Sequence, residues 1–224
     1  MTETAPILFL CGPTETAPAV DEALALPLIS HRGPEIQALI AECLPGMRHA
    51  FGTQGDVLPL SVSGSAVMEA ALRNTIPAGG RVLHLVNGAF SRRWASISEC
   101  CGLDHAVVEK PLGEAFCETD AAAAFQQHGR FDAVCVTHNE TSSGALSDIG
   151  GVARATRAAS PGCLVMVDAV SALAGVDMAF DDNGIDLALG SVAKCWALPP
   201  GLSMVAFSVR CRQAMRQVED RGYH

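Results

Sequence analysis

Lysine is scarce in this chain: its 224 residues include two, Lys110 and Lys194. Aromatic residues make up 5%, with a single tyrosine. No apolar stretch is long enough to span a bilayer as a helix, so a membrane-spanning protein is not expected. A basic stripe is missing too. The net charge is −9, and Arg210, Arg212 and Arg216 form only a short cluster near the C-terminus. Nucleic acid is therefore not an expected partner, because binding a phosphate backbone needs clustered positive charge. The nine cysteines contain no C-x-x-C pair, and Cys100 and Cys101 are merely adjacent. An odd number without regular spacing argues for free thiols in a reducing compartment rather than a secreted disulfide framework. The opening Met1-Thr2-Glu3-Thr4-Ala5 has no basic n-region and no long apolar segment after it, so it does not read as a signal peptide. A cytoplasmic location is the expectation. No G-x-G-x-x-G follows a first strand, which argues against a nicotinamide-binding domain.

What is present is an ordinary globular composition, 49% hydrophobic and 17% charged, with 21 glycines. The length suffices for one sizeable core. Short apolar runs alternate with Ala-rich helical patterns. Strands are expected at Arg81–Val86, His105–Glu109, Asp132–Thr137, Cys163–Asp168, Ile185–Leu189 and Leu202–Ser208. Several are continuously apolar, as in strands covered on both faces of a parallel sheet. Helices are expected at Pro34–Cys43, Ser65–Asn74, Phe90–Cys101, Ala121–His128 and Ile149–Ala159. This alternation implies an α/β fold with a mainly parallel sheet sandwiched by helices, binding its ligand beyond the carboxyl ends of the strands.

Polar residues at those ends are the candidates for chemistry. Lys194 follows the apolar run Asp186-Leu187-Ala188-Leu189-Gly190-Ser191-Val192-Ala193 and precedes the turn Pro199-Pro200-Gly201. An amine in poorly hydrated surroundings is less readily charged and becomes a nucleophile, although a solvated strand-end lysine accounts for this window equally. Ser63-Gly64-Ser65 stands between a short strand around Leu60-Ser61-Val62 and a strong helix pattern. Free N–H groups there would favour a phosphate, while Ser63 as a simple helix cap is the blander explanation. Asp168 closes a fully apolar strand, where a carboxylate calls for a cationic or hydrogen-bonded partner; a turn-capping aspartate is the alternative. Val136-Thr137-His138-Asn139-Glu140-Thr141-Ser142-Ser143-Gly144 offers hydroxyls, an imidazole and an amide, or is an ordinary polar loop. Phe90, in Asn87-Gly88-Ala89-Phe90, begins a helix after a strand and could stack on a flat ring or pack in the core.

In that order the motifs resemble those of the class V, fold-type I pyridoxal phosphate (PLP) aminotransferases, most closely the alanine/serine–glyoxylate group. The resemblance covers nearly the whole chain. It begins with Cys11-Gly12-Pro13-Thr14 and Ser30-His31-Arg32-Gly33-Pro34-Glu35, runs through the motifs above, and ends with Val167-Asp168, Lys194 and Pro199-Pro200-Gly201. It implies the large domain of the fold-type I PLP-dependent transferases and a Schiff base on Lys194, which then shuttles a proton. It implies Asp168 against the pyridinium nitrogen, Thr141 on the phenolic oxygen, Phe90 and Val170 on the two ring faces, and Ser63, Gly64 and Ser65 at the phosphate. The implied reaction moves an amino group from a small amino acid, of alanine or serine type, to glyoxylate or pyruvate, in a homodimer.

Two departures stand out. Relatives commonly place a polar pair before the lysine, where this chain has Val192-Ala193. Family members also carry a C-terminal domain with an arginine for the substrate carboxylate, whereas this chain ends at His224. The expectation is an N-terminal arm plus the large cofactor-binding domain over residues 1–224, without the C-terminal domain. Two alternatives stay open: 2-aminoethylphosphonate–pyruvate transamination, suggested by Lys194-Cys195, and a truncated, non-catalytic binding module that kept the fold.

Overall fold

The computed structural model describes residues 7–219. Helices α1 (Pro18–Leu24) and α2 (Pro34–Phe51) lead into strand β1 (Asp56–Leu60) and helix α3 (Gly64–Thr75). Then follow β2 (Arg81–Val86), α4 (Ala89–Cys100), β3 (Asp104–Glu109), α5 (Glu118–His128) and β4 (Ala133–Thr137). A two-stranded ribbon, β5 (Asn139–Glu140) with β6 (Ala145–Leu146), precedes α6 (Ile149–Ala159), β7 (Leu164–Asp168), β8 (Leu187–Ser191), β9 (Ser203–Phe207) and α7 (Val209–Gln217).

Seven strands form one sheet in the order β1-β9-β8-β7-β4-β2-β3. Strand β9 runs antiparallel to both of its neighbours, so the other six point the same way. Their continuous apolar character has a direct cause. Residues 83, 85, 134, 136, 165 and 167 enter one core cluster with Phe51 of α2, Phe125 of α5 and Val152 of α6. Residues 82, 133, 135, 164, 166, 187 and 189 enter the other, with Leu72 of α3, Trp94 of α4 and Cys211 of α7. Both faces of each central strand are covered, so the alternation is between two apolar cores rather than between core and solvent. By this parity Thr137 and Asp168 share the α3/α4/α7 face.

Several elements differ from the sequence reading. The short strand expected around Leu60-Ser61-Val62 lies earlier, at Asp56–Leu60, on a sheet edge where Pro59 is tolerated. Helix α2 continues past Cys43 through Pro45 to Phe51. The missing N–H of Pro45 is offset by burial of Met47 and Phe51 beyond it. Helices α1 and α7 and the β5–β6 ribbon were not expected. No helix among the described residues is long and apolar enough to cross a membrane. All nine cysteines are free.

Candidate active site

The register brings the sequence motifs to one edge of the sheet. Leu60 and Ser191 both pair with Ser203, Leu189 pairs with Asp168, and Asp168 pairs with Thr137. The segments that follow these residues carry Ser63, Lys194, Val170 and Thr141. Strand β2 ends level with β4 and delivers Phe90. Chain order reverses here, since β3 lies on one side of β2 and β4 on the other, which opens a crevice at the carboxyl ends.

At the start of α3 the Ser63 hydroxyl accepts from Ala66 N–H at 3.3 Å, so this side chain is a helix cap. The N–H groups of Gly64 and Ser65 find no protein acceptor among the described residues. They remain available to an anion. A Cβ on Gly64 would lie 2.8 Å from Cγ2 of Val170, so glycine lets the helix approach the strap after β7.

Asp168 is 2% exposed, and its Oδ1 accepts from Val170 N–H at 2.9 Å. Burial pushes its carboxyl up to about 7, against the pull of the Val170 N–H and Arg93, with Glu140 adding to the rise. Beside it, the Thr137 hydroxyl and His138 Nδ1 are buried without a partner. Burial also lowers the His138 pKa, which favours a neutral ring.

Glu140 holds the start of α4. Its buried carboxylate accepts from Ser91 N–H at 3.0 Å, Ser91 Oγ at 2.9 Å and Phe90 N–H at 3.2 Å. It also accepts from Ser142 Oγ at 2.7 Å. Burial raises its pKa, yet the hydrogen bonds from Ser91 and Ser142 outweigh that and hold the carboxyl below the usual glutamate range. A helix N-terminus favours the same charge. Phe90 is thereby fixed, half-buried, at the crevice. Thr141 Oγ1 donates to Ser171 Oγ at 2.8 Å, and Ser171 in turn donates to the Asn139 carbonyl at 2.9 Å.

Lys194 is half-buried in a tight turn. Its carbonyl accepts from Ala197 N–H at 2.9 Å and from Thr14 Oγ1 at 3.1 Å. Its Nζ donates to the Cys11 carbonyl at 2.6 Å. The amine thus has a specific backbone partner in the N-terminal arm. Lys110, by contrast, is tied to Asp120 at 2.7 Å and to the Ala115 carbonyl at 3.0 Å. Val192 and Ala193 are buried and apolar, so no polar group precedes Lys194. Sequence reasoning assigned no role to Glu140, Ser171, Arg93 or the Cys11 carbonyl. Glu140 stood inside the polar run after Val136, but nothing local showed whom it would meet.

These features define a mixed, mostly parallel α/β protein with a helix start carrying free N–H groups, a buried acid and a lysine at one sheet edge. A family model described as "Aminotransferase class-V" matches residues 49–223. The L-aspartate–glyoxylate aminotransferase of Paracoccus denitrificans is 36% identical over 222 residues, covering 96% of this chain and 55% of the relative. The serine–glyoxylate aminotransferase of Hyphomicrobium methylovorum is 35% identical, covering 91% of this chain and 51% of the relative. Among solved structures, the alanine–glyoxylate aminotransferase from Nostoc sp. superposes with a TM-score of 0.89 at 30% identity, covering 97% of this chain and 58% of that one. The chain belongs to the class-V aminotransferase family. It spans about half the length of the curated relatives it matches.

Proposed function

We propose that this chain is the cofactor-binding large domain of a PLP-dependent transaminase that moves an amino group from a small amino acid to glyoxylate or pyruvate. The observation that carries this reading is the convergence, at one sheet edge, of Asp168, the free N–H groups of Gly64 and Ser65, and Lys194. The residues present fit PLP. Asp168 is a buried carboxylate with one backbone donor, and a protonated ring nitrogen would satisfy it. The first turn of α3 offers unspent donors to a phosphate. When bound, the cofactor supplies an electron sink.

This chain's residues do the rest. Lys194 Nζ would hold the cofactor covalently and, once free, would take and return the proton at the substrate Cα. Asp168 would keep the ring nitrogen protonated. Phe90 and Val170 would lie against the two ring faces, and Thr141, whose hydroxyl donates to Ser171 in the cofactor-free chain, would turn that proton to the phenolic oxygen. Ser63 serves as the cap that orients the cradle.

The names of the relatives support glyoxylate as acceptor and offer aspartate, serine and alanine as donors. A homodimer is supported by the arm, where Ile7, Phe9, Leu26 and Leu28 are 80%, 100%, 67% and 101% exposed. Such a surface needs a cover. Nine unpaired thiols suit the cytoplasm.

The test is to incubate the purified chain with PLP, glyoxylate and, in turn, L-aspartate, L-serine or L-alanine, and to measure glycine. Glycine above the protein-free rate with one donor supports the reading. PLP bound at Lys194 with no glycine from any donor, and no alanine when pyruvate replaces glyoxylate, contradicts the transfer.

A further inference from the structure

The cradle at the start of α3 is built from neutral groups. A phosphate ester carries close to two negative charges near neutral pH, and neutral donors leave much of that uncompensated. Lys110 is committed to Asp120, and Lys194 to the imine. Val192 and Ala193, 1% and 7% exposed, contribute no polar group. Among the described residues, the cation recorded on a cradle side chain is Arg93 of α4. Its Nη1 donates to Ser65 Oγ at 3.2 Å, and its Cζ lies 4.9 Å from the Phe90 ring centroid.

Phe90 and Arg93 are three residues apart on one helix, so they share a face. Stacking on the ring fixes the plane of the guanidinium and steers its fork. A hydroxyl that accepts from arginine keeps its own proton to donate. Ser65 and Arg93 therefore form a composite donor, one O–H and the remaining guanidinium N–H groups, beside the free N–H groups of α3. Burial drives the Asp168 carboxyl upward, and Arg93 pulls against it.

We propose that Arg93 is the charge that recognises the cofactor phosphate in this chain, and that it selects phosphorylated over unphosphorylated pyridoxal. The proposal rests on the cofactor reading above. A guanidinium held over the Phe90 ring and bonded to the cradle serine matches a phosphate oxygen pair bidentately. Arg93 is exposed and outside both core clusters, so replacing it leaves the packing intact.

The experiment titrates the full chain separately with PLP and with pyridoxal, following the imine absorbance, for the parent protein, Arg93→Gln and Arg93→Lys. Borohydride fixation and peptide mapping locate the adduct. Arg93→Gln is expected to weaken PLP at least about tenfold, as for loss of a charge-assisted hydrogen bond, while pyridoxal affinity is unchanged. Arg93→Lys recovers part of the loss. An equal fall for both aldehydes assigns Arg93 to ring packing and overturns the proposal, as does no change for either. A Lys194 adduct in the parent with unaltered discrimination in Arg93→Gln overturns this proposal alone. No adduct in the parent overturns the cofactor reading and the proposal together.

Discussion

The Lys194 amine donates to the Cys11 carbonyl 2.6 Å away, across 183 residues of sequence. The arm reaches this close because residue 12 is glycine. Its φ is +117°, and a Cβ there would fall 2.6 Å from both Cδ and Nζ of Lys194. Gly12→Ala is therefore expected to lift the arm or turn the lysine aside while leaving the core untouched. The check is the rate of imine formation with PLP, which should change several-fold with the thermal midpoint within about 2 °C of the parent. An unaltered rate would detach the arm from the function of Lys194.

Glu140 acts as a buried clamp on α4, accepting from Phe90, Ser91 and Ser142. Glu140→Gln retains the shape but turns an NH₂ toward donors. A loss on the order of 2–3 kcal/mol is expected in urea unfolding at pH 7. The folded-state pKa is lowered, so the contribution is full above the ordinary value of 4.5 and fades as pH falls below it. The parent and the variant should accordingly converge in stability toward acid pH. A constant gap down to pH 3 would contradict the charged clamp.

Asp168 titrates in the opposite sense. Its folded-state pKa, about 7 through burial, exceeds the ordinary 3.8, so the cofactor-free protein binds the extra proton between those values. Stability from this group is full below pH 3.8 and is lost as pH rises through about 7. Asp168→Asn should stabilise the cofactor-free protein at pH 8, by roughly 1–3 kcal/mol, and weaken PLP binding. Calorimetry with and without PLP measures both. Destabilisation of the cofactor-free protein at pH 8 would mean that the carboxylate already has a counter-charge.

Gly64→Ala tests the approach of α3 to Val170. The added methyl meets Cγ2 at 2.8 Å, and this partner is branched and short, unlike the flexible end of a lysine. A cost of about 1–3 kcal/mol and weaker PLP binding are expected. Restoration of stability in Gly64→Ala/Val170→Ala would trace the cost to this contact, and failure to restore it would place the cause elsewhere.

Much of the sheet was legible because strands covered on both faces leave continuous apolar runs, such as Leu164-Val165-Met166-Val167 ending in Asp168. A polar residue closing such a run is conspicuous. Strand β1 was read several residues late because it is a short edge strand containing Pro59, with a mixed burial pattern. Helix α2 was cut short at Cys43 because Pro45 looks like a stop until the burial of Met47 and Phe51 is known. The positions of Lys194, Asp168, Phe90 and Ser63-Gly64-Ser65 along the chain were legible, whereas their partners were not. Arg93 bonds Ser65 across 28 positions and Glu140 bonds Ser91 across 49, and no local pattern encodes contacts of that range.

The central claim is that Lys194 is the reactive amine of a PLP site, and reduction with borohydride in the presence of PLP tests it most directly. Peptide mass mapping should find the phosphopyridoxyl group on Lys194, with Lys110 unmodified because its ammonium is held by Asp120 and the Ala115 carbonyl. Equal labelling of the two lysines, or labelling of neither, would contradict the account.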